Sequence, residues 1–409
     1  MKNIKICVVG LGYVGLPLAI EFGKKFETTG YDNSLSRIRA LKKNKDNNDE
    51  IKKQDFFKSK KIIFTNNIND IETSNFYIIT VPTPINKNNT PDLRIIIDAT
   101  TQVAKKLQKN DVVVFESTVF PGFTKDIAVP ILEKFSTLTY NQDFFCGYSP
   151  ERINPGDRKH TVKNIVKVIS GSNKKTLNKI KSVYESFLTN GTYSAESIEV
   201  AEAAKVIENT QRDLNIALVN ELSQLFSKMN LNTNNILDAA GSKWNFLKFK
   251  PGLVGGHCIG VDPYYLTYKA KQIGFNPKII LAGREVNDNM SKFYVEDFLK
   301  KAGNKKKLKI LILGVTFKEN CKDIRNSKVF DIANLLIKKK HLVHMSDPFV
   351  KTVSINYMKN FISMKSINKN FYDGIIVAVG HNIFKKMGIN SIKKFGITNS
   401  IFYDLKNIF

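Results

Sequence analysis

The sequence predicts an α/β protein built as two open, doubly wound sheets joined by a long central helix. Three observations carry that expectation. Short apolar runs alternate with helical stretches over the first 150 residues, and the same alternation returns from Leu308 onward. Between them, from about Ser194 to Asn230, apolar residues recur at helical spacing with no Pro or Gly to interrupt them. The chain has 409 residues, enough for two or three domains with a core in each. We expect the division 1–193, 194–302 and 303–409.

Taken in order, Ile4 to Val9 reads as a short buried strand. Gly10-Leu11-Gly12-Tyr13-Val14-Gly15 follows at once, then a helical pattern through Lys25. This is the G-x-G-x-x-G fingerprint in its strand–turn–helix setting. Its glycines permit the turn and let backbone approach a pyrophosphate on the helix N-terminus. A second strand ends at Tyr31-Asp32 and places an acid where adenosine ribose hydroxyls would lie. NAD is therefore the expected cofactor, with Gly10, Gly12, Tyr13, Val14, Gly15 and Asp32 holding it. Arg37 follows closely and leaves some tolerance of a 2′-phosphate open.

Three further strands end in polar clusters. Phe76 to Val81 leads to Pro82-Thr83-Pro84, Asp111 to Phe115 leads to Glu116-Ser117-Thr118, and Phe144 to Tyr148 leads to Ser149-Pro150-Glu151-Arg152. Ligands in open α/β sheets bind beyond the carboxyl ends of strands. Each cluster alone reads equally as a turn or cap; three in register point to a site.

The long helix carries Glu196, Glu199 and Glu202 in its first turns, where its dipole favours acids. Lys205 and Asn209, four apart, share one face. A lysine among Ala201, Ala203, Ala204, Val206 and Ile207 is either a buried ammonium, costly unless partnered, or a snorkelling side chain; the helix alone leaves both open. Next comes Pro251-Gly252-Leu253-Val254-Gly255-Gly256-His257-Cys258-Ile259-Gly260-Val261-Asp262-Pro263. Its glycines mark backbone that turns tightly against a ligand, and Cys258 there is a candidate nucleophile. An isolated cysteine would more simply be a buried structural thiol. Helical stretches run through Lys271 and from Ile279 to Ala302, and Gly303–Lys307 reads as a linker. Strands Leu308–Leu313, His341–Met345 and Gly374–Val379 then form a second, smaller α/β domain without a G-x-G-x-x-G, so no second dinucleotide is expected.

The formal charge of +26 raises the question of nucleic acid or an anionic membrane. The lysines, however, are scattered among Asn and Ile in runs no longer than Lys305–Lys307 and Lys338–Lys340. That distribution matches a composition bias or small polyanionic ligands, so neither nucleic acid nor membrane insertion is expected. Cys7, Cys146, Cys258 and Cys321 lie far apart with no C-x-x-C, which indicates no metal site and no disulfide framework. A reducing cytoplasm fits. Gly10, Gly12, Gly15 and Pro17 break the apolar start at spacings unlike a signal peptide.

Together these motifs resemble the nucleotide-sugar (UDP-hexose) dehydrogenase family across essentially the whole chain. The resemblance rests on Gly10/Gly12/Gly15, Pro82-Thr83-Pro84, Glu116-Ser117-Thr118, Ser149-Pro150-Glu151-Arg152, Lys205/Asn209, Gly255 through Asp262, and Lys318 with Asp323-Ile324-Arg325. It implies two Rossmann-like domains, NAD in the first and a uridine nucleotide in the second, and a homodimer or higher oligomer formed through the long helix. It further implies that Cys258 traps an aldehyde, that Lys205 and Asn209 stabilise oxyanions, and that Asp262, Thr118 and Glu151 handle water. Thr83, Ser117, Thr118 and Arg325 would reach the cofactor. Glu151, Arg152, Lys205, Asn209, Phe249, Gly252, Gly255 and Lys318 would hold the substrate; His257 is given no role. Glu151 to Asp157 and Val261 to Leu266 resemble the branch acting on UDP-N-acetylhexosamines, UDP-N-acetylglucosamine foremost, whose uronic acids serve bacterial surface polysaccharides. The chain has no arginine between Arg212 and Arg284, where the UDP-glucose enzymes carry one; Lys243, Lys248 or Lys250 would have to substitute.

Three other readings compete. A UDP-glucose 6-dehydrogenase would share fold and chemistry. A two-electron hydroxyacid or 6-phosphogluconate-type dehydrogenase would need no cysteine, and a non-catalytic NAD sensor or nucleic-acid binder would use the charge alone.

Overall fold

A computed structural model describes residues 4–48, 50–153, 161–256 and 258–409. Among them it divides into two compact units, residues 1–208 with 264–275, and residues 209–263 with 276–409.

The first unit is an eight-stranded sheet of β1 (Lys5–Val9), β2 (Glu27–Tyr31), β3 (Ile62–Thr65), β4 (Phe76–Ile79), β5 (Val112–Phe115), β6 (Phe145–Tyr148), β7 (Lys167–Gly171) and β8 (Thr192–Ser194). Its spatial order is β3-β2-β1-β4-β5-β6-β7-β8, and every pairing is parallel except β6 with β7. The first six strands thus follow the dinucleotide-binding order, which reverses between β1 and β4. β4 and β5, Phe-Tyr-Ile-Ile and Val-Val-Val-Phe, are buried at every residue. Continuous apolar strands are what a parallel sheet covered on both faces requires. Crossover helices Gly15–Phe22, Arg94–Ala104 and Lys174–Glu185 supply the cover. Phe22 packs edge-on against Phe187, with ring centroids 5.0 Å apart.

The second unit carries a four-stranded parallel sheet of β9 (Lys309–Leu313), β10 (Leu342–Ser346), β11 (Tyr372–Val377) and β12 (Gly396–Asp404), in the order β10-β9-β11-β12. Its direction of winding reverses between β9 and β11. Ile310 and Ile312 face one apolar layer with Phe298 and Leu336, while Leu311 and Leu313 face another with Ile375 and Phe384. Alternate residues of one strand fill two layers, so this sheet is doubly wound as well.

The long helix runs from Ile198 to Lys228. It starts later than the sequence pattern indicates because Tyr193 and Ser194 pair with Val168 and Ile169 as β8. Helix Lys278–Lys301 ends just before the expected linker. Among the described residues no helix is long and apolar enough to cross a membrane, and no cluster of His, Cys, Asp or Glu could hold a metal ion.

Candidate functional site

In the first unit the three fingerprint glycines do three different things. Gly10 has φ +92, a left-handed conformation that side chains resist. A Cβ on Gly15 would lie 1.9 Å from the Gly10 carbonyl oxygen and 2.3 Å from Thr80 Oγ1, so only glycine lets the helix approach the strand. A Cβ on Gly12 would meet nothing within 4 Å, which leaves backbone open to a ligand at the β1/β4 reversal. Asp32 stands at the end of β2, half-buried, with Oδ2 accepting from Leu11 N at 2.9 Å and Oδ1 from Ser34 N at 2.9 Å. These backbone bonds fix the carboxylate and leave each oxygen a further lone pair. The cradle fits a dinucleotide. Arg37 braces the same loop: its Nε donates to the Leu11 carbonyl at 2.9 Å, and it pairs at 2.7 Å with the fully buried Asp46.

Beyond the other strand ends, side chains hold the loops. Ser117 Oγ donates to the Val81 carbonyl at 2.7 Å, and Tyr265 OH donates to the Thr83 carbonyl at 2.9 Å. Thr118 is half-buried. Glu151 is buried, its Oε1 accepting from the backbone of Arg152 and Ile153 at 2.7 and 2.6 Å. Beneath it Lys167, completely buried, pairs with Glu116 at 2.8 Å and lies 3.9 Å from Glu151 Oε2, and Tyr184 OH donates to Glu116. Burial pushes the Glu116 carboxyl up, Lys167 pulls it down, and Glu151 pushes it up again. Arg152 reaches the Val166 carbonyl at 3.0 Å and Glu208 at 2.8 Å.

On the long helix Lys205 is buried, which decides against the snorkelling alternative. Glu202 is not a dipole partner at an exposed helix end. It is fully buried and accepts from Gly122 N, Thr124 N and Thr124 Oγ1 at 2.6, 2.9 and 2.6 Å.

In the second unit Asn209 Nδ2 donates to Asp262 Oδ2 at 2.6 Å, and Asp262 N donates to the Cys258 carbonyl at 2.8 Å. Asp262 is buried and opens helix Asp262–Gln272, while Cys258 is exposed, unlike a structural core thiol. An amide, a carboxylate and an exposed thiol therefore share one locale. The loop before the thiol is clamped. Asn220, fully buried, accepts from Gly252 N at 2.8 Å, donates to the Gly252 carbonyl at 3.0 Å, and bonds Asn287 Oδ1 at 2.7 Å. Gly252 is thus tied into the fold through its own backbone. A Cβ on Gly255 would stand 2.6 Å from the Asn326 carbonyl oxygen, and one on Gly256 2.7 Å from the Phe317 ring. Phe249 is half-buried. Arg325 makes a two-pronged pair with Asp323, NH2 to Oδ2 at 2.6 Å. A cleft at the β9/β11 reversal is lined by Gly255, Thr316, Lys318, Lys328, Val379 and Lys406. Glu319 lines it too, 3.8 Å from Lys406, and Lys328 pairs with Asp288 at 3.1 Å; the remaining excess of positive charge suits an anion.

His257, and the part of the Glu151-to-Asp157 motif from Asn154 on, lie outside the described residues. Sequence reasoning missed Lys167, Tyr184, Asn220 and Tyr265. The only signal for Lys167 was a lysine opening an apolar strand, and nothing in the local sequence marks an asparagine that bonds backbone 32 residues away.

Comparison with known proteins covers all these segments. Family models for the UDP-glucose/GDP-mannose dehydrogenase family match residues 4–188 (NAD binding domain), 199–289 (central domain) and 311–409 (UDP binding domain). The chain is 52% identical to a UDP-N-acetyl-D-glucosamine 6-dehydrogenase of Salmonella typhi, covering 100% of this chain and 97% of that one. It is 49% identical to the protein of that name from Pseudomonas aeruginosa, covering 99% and 97%. Among solved structures, a UDP-D-ManNAc dehydrogenase from Pyrococcus horikoshii superposes with a TM-score of 0.88 at 29% identity, covering 99% and 96%.

Proposed function

This chain belongs to the UDP-glucose/GDP-mannose dehydrogenase family, and from that premise we propose that it oxidises a UDP-N-acetylhexosamine at C6 to the uronic acid. UDP-N-acetylglucosamine stands ahead of its epimers, as the two relatives near 50% identity are named for that sugar. The observation that carries the chemistry is the Asn209–Asp262 bond beside the exposed Cys258.

Taking a primary alcohol to a carboxylate removes four electrons, so the chemistry that a bound NAD would supply, acceptance of one hydride from C6, is needed twice. Between the two oxidations the Cys258 thiolate adds to the C6 aldehyde and gives a thiohemiacetal; after the second, water cleaves the thioester and the thiol leaves. Lys205 and Asn209 stabilise the oxyanions at C6. Asp262, with Thr118 and Glu151, orients the water and takes its proton. Asp32 reads the adenosine ribose, with Gly10, Gly12, Tyr13, Val14 and Gly15 at the pyrophosphate and Arg37, Thr83, Ser117, Thr118 and Arg325 around the cofactor. Arg152, Phe249, Gly252, Gly255 and Lys318 complete the UDP-sugar site.

We keep the division 1–193, 194–302 and 303–409 as the functional one, and place the enzyme in the cytoplasm as a homodimer supplying a surface polysaccharide. The deciding experiment counts NADH released per UDP-sugar consumed across UDP-glucose and the gluco, galacto and manno N-acetylated sugars. Two NADH per molecule and the highest kcat/KM on UDP-N-acetylglucosamine are expected. One NADH removes the thiol from the reaction, and a preference for UDP-glucose overturns the branch.

A further inference from the structure

The second sheet repeats the nucleotide device of the first, and then disables one part of it. Gly10 follows β1 and Gly314 follows β9, with φ +92 and +88. Each donates its N–H to the last residue of the neighbouring strand, Tyr31 and Ser346, at 2.8 Å in both cases. The next residue after that strand is an aspartate in each. Asp32 accepts from Leu11 N at 2.9 Å and from Ser34 N at 2.9 Å; Asp347 accepts from Val315 N at 2.7 Å and from Phe349 N at 2.8 Å. The registers Val9↔Ile79 and Leu313↔Val377 place Thr83 and His381 at equivalent positions, four residues past each pairing.

Here the two units part. Asp32 is half-buried and keeps a face for a ribose, whereas the Asp347 side chain is fully buried and His381 Nε2 lies 3.0 Å from its Oδ2. His381 is fully buried too, and its Nδ1 accepts from Asn320 N at 2.9 Å. A carboxylate only accepts and a backbone N–H only donates, so both bonds form together when the ring is neutral with its proton on Nε2. Asn320 sits at φ +56, and its Oδ1 accepts from Asn382 N at 2.9 Å. The turn Lys318-Glu319-Asn320 is thereby held from behind by the residue that closes the ribose position.

We infer that His381 is a positioning residue for nucleotide binding: braced on Asp347, it fixes the turn that presents Lys318 to a diphosphate, and the second unit reads its nucleotide without an acid at the β10 end. The inference rests on the reading that this unit takes the UDP part of the substrate. The test is calorimetric binding of uridine diphosphate and, separately, of NAD to the full chain. His381→Ala is expected to weaken UDP about tenfold, the loss that goes with one hydrogen-bonded charged contact, with NAD affinity unchanged. His381→Asn, which keeps an acceptor near Nδ1, is expected to recover more UDP affinity than His381→Gln, whose amide keeps only the reach to Asp347. UDP affinity within twofold of wild type in His381→Ala, or parallel losses of UDP and NAD, overturns the inference. Should that variant not fold, equal or reversed affinities of the Asn and Gln variants overturn it. Failure of the wild type to bind UDP overturns the functional reading itself, and this inference falls with it.

Discussion

Cys258 and Lys205 differ in when they are needed. On the proposed chemistry the thiol acts only once an aldehyde exists, so Cys258→Ser should abolish turnover and leave the NAD dissociation constant unchanged. A serine adduct would hydrolyse far more slowly than the thioester. Steady NADH production by the variant at near the wild-type rate would take Cys258 out of the reaction. Lys205 is assigned to a charge that develops during reaction, so Lys205→Ala should lower kcat about a hundredfold or more and change the KM for UDP-sugar little. A pure KM effect would make it a ground-state binding residue. Both residues were singled out in the sequence, Cys258 from the glycines around it and Lys205 from its place on an apolar helix face, where the helix alone left a buried and a snorkelling ammonium both open. The contacts that hold the neighbouring loops were not. Lys167 meets Glu116 across 51 residues and Asn220 meets Gly252 across 32, and such pairings are created by sheet order and helix packing, which leave no local spacing to read.

At the scale of elements, the long helix carries Val200, Ile207, Leu218 and Leu225 at separations of 7, 11 and 7 residues, which return to one face after two, three and two turns. All four are exposed, between 47% and 58%. Apolar side chains repeated along a single face at that exposure are what a helix buried against a second copy would carry. Leu218→Glu should therefore convert the proposed homodimer to monomer, read as a halved mass by light scattering at micromolar protein. An unchanged mass places the interface elsewhere. The helix, β1, β5 and β9 were readable because period and apolar run length suffice for them. Their ends were harder, since this chain punctuates with asparagine where glycine would be the visible signal. Asparagine holds eleven of the fourteen non-glycine positions with positive φ among the described residues, Thr137, Lys307 and Lys340 being the others. In a sequence rich in asparagine throughout, those turns do not stand out.

For the molecule as a whole, buried acids and net charge pull stability in opposite directions with pH. Burial pushes Glu202 up to about 7 against the hydrogen bonds from Thr124 and Gly122, and Asp111 up to about 6 against one from Gln108. Glu116 in the first unit and Asp213 in the second are raised by burial in the same way. Below the ordinary carboxylate range all four carry a proton folded or unfolded. Between that range and the raised values the folded chain holds protons that the unfolded chain has released, so unfolding free energy falls as pH rises through this window. The stabilisation is complete at the acid side and gone above about pH 7. Against this, the formal charge of +26 grows as other carboxylates protonate, and self-repulsion weakens the folded state on the acid side. Salt shrinks the repulsion to a range of roughly 3 Å at 1 M while leaving buried groups almost unscreened. In 1 M NaCl the thermal midpoint should thus decline from roughly pH 5 to pH 7.5, and in low salt that decline should flatten. Glu202→Gln keeps an oxygen for Thr124 and removes the titration, so its high-salt profile should be shallower than that of the wild type. Identical slopes in the two proteins, or a midpoint that rises with pH at high salt, would show that Glu202 is ionised throughout and that its three donors outweigh its burial.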